Sequence, residues 1–128
     1  MQRIAKSLRL LALSLTCCTA VAPAAFAAGD AAAGKKNYDM LCFTCHGTSG
    51  KGDGPAGAAL NPPPRNFTLG KFKFDANKDG KVGTDEDLAL VIKNGAGAYG
   101  GNPTMAPWGY LSDKDIADLI AYIRTFKK

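Results

Sequence analysis

Histidine is the scarcest candidate ligand in this 128-residue sequence, which has only His46. Cysteine is nearly as rare: four in all, with Cys17 and Cys18 adjacent near the start and Cys42 and Cys45 further on. A structural zinc ion wants four nitrogen or sulfur ligands, and Cys42, Cys45 and His46 fall short of that number. Two cysteines in the body of the chain also make no disulfide framework. The alternation of strands and helices that a thioredoxin-like dithiol requires is missing as well. Past residue 27 no apolar run approaches the ~20 residues of a membrane-spanning helix.

The first 27 residues have a different character from the rest. Arg3, Lys6 and Arg9 form a basic start, Leu10 to Val21 is apolar or small, and Ala25-Phe26-Ala27 supplies an A-x-A cleavage site. Residues 1–27 are therefore expected to be a cleaved secretory signal peptide, and residues 28–128 one domain exported to the periplasm or its equivalent. Two alternatives stay open. One is a lipoprotein acylated at Cys17 or Cys18, although Ser14-Leu15-Thr16 lacks the expected small residue before the cysteine; the other is a retained anchor. Cleavage leaves 101 residues, enough for one domain with a modest core. It also removes three of the sixteen Lys and Arg and none of the eleven Asp and Glu, so the formal +5 of the whole chain largely disappears.

What is present centres on Cys42-Phe43-Thr44-Cys45-His46. In C-x-x-C-H, two thiols three positions apart on a helical turn can each add to a vinyl group of a haem, while the adjacent imidazole reaches the iron. This is a covalent haem attachment sequence. Two ionised propionates would bring the net charge of the exported chain to about zero, which argues against a nucleic-acid partner.

Helical signals surround it. Asp30 is a candidate N-cap for a helix to Leu41, with Gly34, Tyr38 and Leu41 on one face. Gly34 costs about 1 kcal/mol relative to alanine inside a helix, so close approach of a second helix is expected there. Thr84, with Asp87 three residues on, starts another helix that runs to about Lys93, buries Leu88, Val91 and Ile92 and stops at Asn94-Gly95. Ser112 and Asp115 start the last, with Ile116, Leu119, Ile120 and Ile123 on one stripe and Asp113, Lys114, Asp118 and Arg124 expected to face water.

The arrangement Gly34, Tyr38, Cys42, Cys45, His46 resembles the start of class I monohaem cytochromes c, in which a glycine and an aromatic four residues apart cross the C-terminal helix at an aliphatic and an aromatic. Leu119 and Tyr122 stand in that relation. The resemblance covers nearly the whole chain after residue 27. It implies an all-α cytochrome c fold, with three main helices and loops rich in glycine and proline around one covalently bound haem c.

Gly47 to Gly57 carries five glycines and is expected to follow a flat ligand closely. Pro62-Pro63-Pro64 forces an extended path with free carbonyls. In the family, a carbonyl from such a region receives the second nitrogen proton of the ligating histidine, which implies that one of Asn61 to Pro63 serves His46. Arg65 is a candidate propionate partner. For the sixth iron ligand Met40 sits too close to Cys42 to reach the far face of the haem. Met105, in a proline-flanked loop, can reach it and occupies the family position of the distal thioether. Trp108 and Tyr99 are expected to wall the pocket.

One segment lies outside that pattern. Asp75-Ala76-Asn77-Lys78-Asp79-Gly80, with Glu86 six residues beyond, fits the EF-hand loop at all twelve positions. Asp75, Asn77 and Asp79 offer side-chain oxygens, Lys81 a backbone carbonyl and Glu86 a two-oxygen clamp for calcium. Against a full hand, Lys71-Phe72-Lys73-Phe74 alternates with period two and carries no helix signal.

The functional expectation is a monomeric electron carrier, not an enzyme, passing single electrons between redox proteins such as a donor dehydrogenase or reductase and an acceptor oxidase or reductase. Lys71, Lys73, Lys93 and Lys114 are candidate steering charges. The alternatives are an electron-accepting subunit of an exported dehydrogenase, or a five-coordinate haem sensor or peroxidase if Met105 is off the iron.

Overall fold

The computed structural model describes residues 26–128, so all of the expected signal peptide except Phe26 and Ala27 lies outside the described residues. Four α-helices are present: α1 (Ala31–Leu41), the single turn α2 (Phe43–His46), α3 (Asp85–Asn94) and α4 (Asp113–Thr125). Short 3-10 turns at Phe67–Leu69 and Ala96–Tyr99 punctuate the loops, and no strand occurs among the described residues. The all-α expectation holds, with α2 as a short fourth helix beside the three long ones. The period-two stretch Lys71 to Phe74 forms neither strand nor helix.

Each long helix starts where side-chain oxygens can satisfy its free amides. Asp30 accepts from the amides of Ala32 and Ala33. Thr84 with Asp87, and Ser112 with Asp115, form reciprocal capping boxes. Gly95 ends α3 at φ 79°, a conformation that glycine adopts without a Cβ penalty.

The core is built where α1 crosses α4. A Cβ on Gly34 would overlap the carbonyl of Asp118, so the two backbones meet at a distance only glycine allows. Tyr38 is fully buried, set edge-on to Tyr122 at 5.2 Å, and shares the core with Ile116, Leu119, Ile120 and Ile123. From α3, Leu88, Ala89 and Ile92 close the cluster. Val91 is only half-buried because it lines the cavity described below.

Two residues expected to face water do not. Asp118 is 3% exposed, its carboxylate accepting from the Asp30 amide at 2.8 Å and the Lys114 ammonium at 2.6 Å. Burial is tolerated because both oxygens are paired. Lys114 and then the Asp30 amide hold this carboxyl below its ordinary value. Arg124 is half-buried, bonding Asp85 and the Gly83 carbonyl and lying 4.8 Å from the Phe72 ring, so it ties α4 to the start of α3.

Candidate cofactor-binding site

Three of the expected haem-binding residues are brought to one place by a helical turn. Cys42 sits at the junction of α1 and α2, its amide bonded to the Tyr38 carbonyl at 2.9 Å. Its own carbonyl accepts from the amides of Cys45 and His46 at 3.2 and 3.0 Å. This turn puts Cys42, Cys45 and His46 on the wall of one cavity, with both thiols free. Burial, then the neighbouring Cys45, pushes the Cys42 thiol up to about 12.

The loop after His46 departs from expectation. None of Gly47 to Gly57 lines the cavity. Instead a Cβ on Gly54 would overlap the Thr44 carbonyl, and one on Gly57 the Cys45 carbonyl. The glycines let the loop pack against the back of the C-x-x-C-H turn. Tyr38 reinforces it by donating its hydroxyl to the Gly47 carbonyl at 2.8 Å.

His46 is buried, and its Nδ1 lies 3.3 Å from the carbonyl of Arg65. A carbonyl only accepts, so the proton belongs on Nδ1 and the Nε2 lone pair is left for a metal. The acceptor is thus Arg65, one residue beyond the proline run, and not Asn61, Pro62 or Pro63. Burial lowers the His46 pKa and the Arg65 carbonyl works against that, with a net lowering that keeps the ring neutral at neutral pH. Phe67 stacks on the imidazole at 4.5 Å and 15°. That contact went unread in the sequence, where a lone phenylalanine after a proline run carries no specific signal.

The cavity holds about 520 Å³, within the range of about 300–1,000 Å³ usual for small-molecule sites. Its walls come from Leu60 and the proline run, from Leu88, Val91 and Ile92 of α3, and from Leu119 and Ile123 of α4. Met105 and Trp108 enter from the loop before α4, which is held by the Trp108 amide on the Ile92 carbonyl at 2.9 Å. Met40 is 69% exposed and does not line the cavity. Arg65 lines it; Tyr99 does not, resting on Phe74 at 6.3 Å with its hydroxyl taking a hydrogen bond from Asn94.

The cytochrome c family model matches residues 31–127. The chain belongs to the cytochrome c family. It is 39% identical over 103 residues to cytochrome c-554(547) of Halothiobacillus neapolitanus, covering 78% of this chain and all of that one. To cytochrome c6 of a Picosynechococcus species it is 34% identical over 118 residues, covering 90% and 91% of the two chains. Among solved structures it is similar to a chain of the Kuenenia stuttgartiensis reducing HAO-like protein complex, with a TM-score of 0.62 and 37% identity over 74% of this chain. It spans only 41% of that longer chain. Family membership carries covalently bound haem c and electron transport. The residues fit that group: two thiols and an imidazole from one turn, a thioether from a distant loop, and apolar walls between.

The Asp75–Glu86 loop lies outside the cavity. Both oxygens of Asp75 and that of Asn77 accept from the amides of Asp79 and Gly80 at 2.9 to 3.1 Å, and Asp79 accepts from Lys81 at 2.8 Å. Buried Asp87 anchors the turn, taking the amides of Ala76 and Asn77. Glu86 is exposed, and no three His, Cys, Asp or Glu side chains gather to hold a metal among the described residues.

Proposed function

We propose that this cytochrome c is an exported, monomeric, single-haem carrier whose iron is held by His46 and Met105, with Cys42 and Cys45 as the thioether anchors. Haem c supplies an iron that cycles between ferrous and ferric states. The protein fixes how that cycle runs. The Arg65 carbonyl sets the His46 tautomer, Phe67 restrains the ring, and the walls from α3 and α4 keep water from the metal. A thioether ligand raises the potential relative to a second imidazole. Were His46 and Met105 both to hold the iron, no position would be left for a substrate, which is the reading of a carrier over an enzyme. The observation that carries it is that Met105 lines the cavity while Met40, the other described methionine, does not.

Two measurements on protein exported from a host that attaches haem test the reading. A mass equal to bare polypeptide would end the haem assignment. Ferric protein should show the weak far-red absorption of thioether-ligated iron, and a high-spin spectrum would favour a sensor or peroxidase instead. For partners, the similarity to a chain of a solved protein complex supports the alternative, an electron-accepting subunit of an exported dehydrogenase. Co-purification of the tagged protein from its own host with a stoichiometric partner would favour that role over a free shuttle.

Calcium on the Asp75–Glu86 loop is a separate proposal, supported by the twelve-position match and by the meeting of the Asp75 and Asn77 oxygens at one amide. With Glu86 exposed and no carboxylate cluster formed among the described residues, weak affinity is expected, in the range of about 10⁻⁴–10⁻³ M.

A further inference from the structure

The loop that carries Met105 is fastened at its two ends to α3 and its extension, by the Gly101 amide on the Ala96 carbonyl at 2.8 Å and the Trp108 amide on the Ile92 carbonyl. Between those points only one hydrogen bond reaches another part of the chain among the described residues. Asn102 Nδ2 donates to the Pro62 carbonyl at 3.1 Å, forty residues away. The same side chain accepts the Thr104 amide on Oδ1 at 2.9 Å, and the Asn102 main-chain carbonyl accepts the Met105 amide at 3.1 Å. The two partners settle the orientation of the side-chain amide, because a carbonyl cannot donate and an N–H cannot accept.

Pro62 and Asn102 both line the cavity, and Pro62 is exposed, so their bond lies at its rim. It joins the proline run leading to the Arg65 carbonyl behind His46 to the loop that presents Met105. We propose that Asn102 is a latch on this rim, a positioning residue that holds the Met105 thioether on the iron by tying its loop to Pro62. The inference rests on the reading of Met105 as axial ligand. A neutral thioether competes with outside ligands only while its loop stays closed, and an incoming ligand binds with an apparent affinity scaled by the open fraction. Cutting the one cross-loop bond should raise that fraction.

The test uses haem-loaded ferric protein titrated with imidazole, followed by loss of the far-red thioether absorption, with urea unfolding measured alongside. Asn102→Asp keeps the acceptor for Thr104 and loses the donor to Pro62. Asn102→Ala loses both, and Asn102→Gln restores a donor on a longer arm. The aspartate variant should bind imidazole roughly fivefold tighter, about what the loss of one ordinary hydrogen bond yields, and the glutamine variant should lie nearer the wild type. An aspartate variant that binds imidazole no tighter than the wild type overturns the latch, and so does tighter binding that merely tracks a lowered urea midpoint. Wild-type protein lacking the far-red absorption overturns the Met105 assignment instead, so the two failures are distinguishable. Should the alanine variant not fold, the aspartate variant still decides.

Discussion

The crossing of α1 and α4 and the loops around the cavity are built on different principles. At the crossing, backbones touch at Gly34, Tyr38 and Leu119 are almost wholly buried, and Asp118 pins the start of α1 through the Asp30 amide. Around the cavity, the stretch from Asn94 to Ser112 holds no charged residue and no helix longer than a 3-10 turn, and it is fastened by isolated hydrogen bonds. At the crossing the buried side chains pack on one another, with Leu119 and Ile123 also reaching the cavity wall. The loops, together with α3 and α4, wall a cavity of about 520 Å³, the size of a small-molecule site, and the group that the family binds is haem c. Stability and function are thereby divided between the two regions, and substitutions should separate them.

Replacing both anchors, Cys42→Ser with Cys45→Ser, should have the largest effect: no covalent haem, seen as bare polypeptide in an intact-mass spectrum. The helix content left in that variant, read by circular dichroism, reports how far the crossing stands without a cofactor. Covalent haem retained by the double variant would refute the site. Gly34→Val should come next, since its side chain would have to displace the α4 backbone. A loss of about 3 kcal/mol is expected in urea unfolding, with the far-red absorption of the folded fraction unchanged. A loss of that absorption at full stability would show that the two regions are not separable in this way.

A smaller effect is expected at Asp118. Its carboxyl is held below the ordinary value of 3.8 by Lys114 first and the Asp30 amide second. A depressed carboxyl contributes stability that is full above the unfolded value and is lost as pH falls through the folded one. Asp118→Asn should therefore be less stable than wild type at neutral pH, and the gap should narrow below about pH 4. A gap independent of pH would mean that the charge on Asp118 contributes nothing. The smallest effect belongs to calcium. Adding millimolar calcium to chelator-treated protein should raise the melting temperature slightly, and neither heat nor a shift at ten times that concentration would remove the proposal.

Local chemistry was readable along the chain. The caps at Asp30, Thr84 and Ser112, the stop at Gly95, the glycine at the helix crossing and the C-x-x-C-H turn each depend on residues within a few positions, so their spacing carries the information. Contacts between distant segments were not readable in the same way. Asp118 looked like one more charge on a solvated helix face, and only the return of the N-terminal end of α1 across α4 buries it. The acceptor for His46 is Arg65 and not one of Asn61–Pro63, because which carbonyl of an extended run meets the imidazole depends on where two segments nineteen residues apart come together. Tyr99 turned to Phe74 for a similar reason.

The amino-acid order alone determined where the expected haem attachment sequence lies, at Cys42 and Cys45, where three helices would begin, and which glycine must lie under another helix. These follow from covalent spacing and from periodicity along one element. Tertiary structure alone decided that Phe67 would stack on His46, that Asp118 would be buried and paired, and that Asn102 would bridge to Pro62. Each of those depends on two segments arriving together, and the angle and distance at which they meet are fixed by packing across the whole domain.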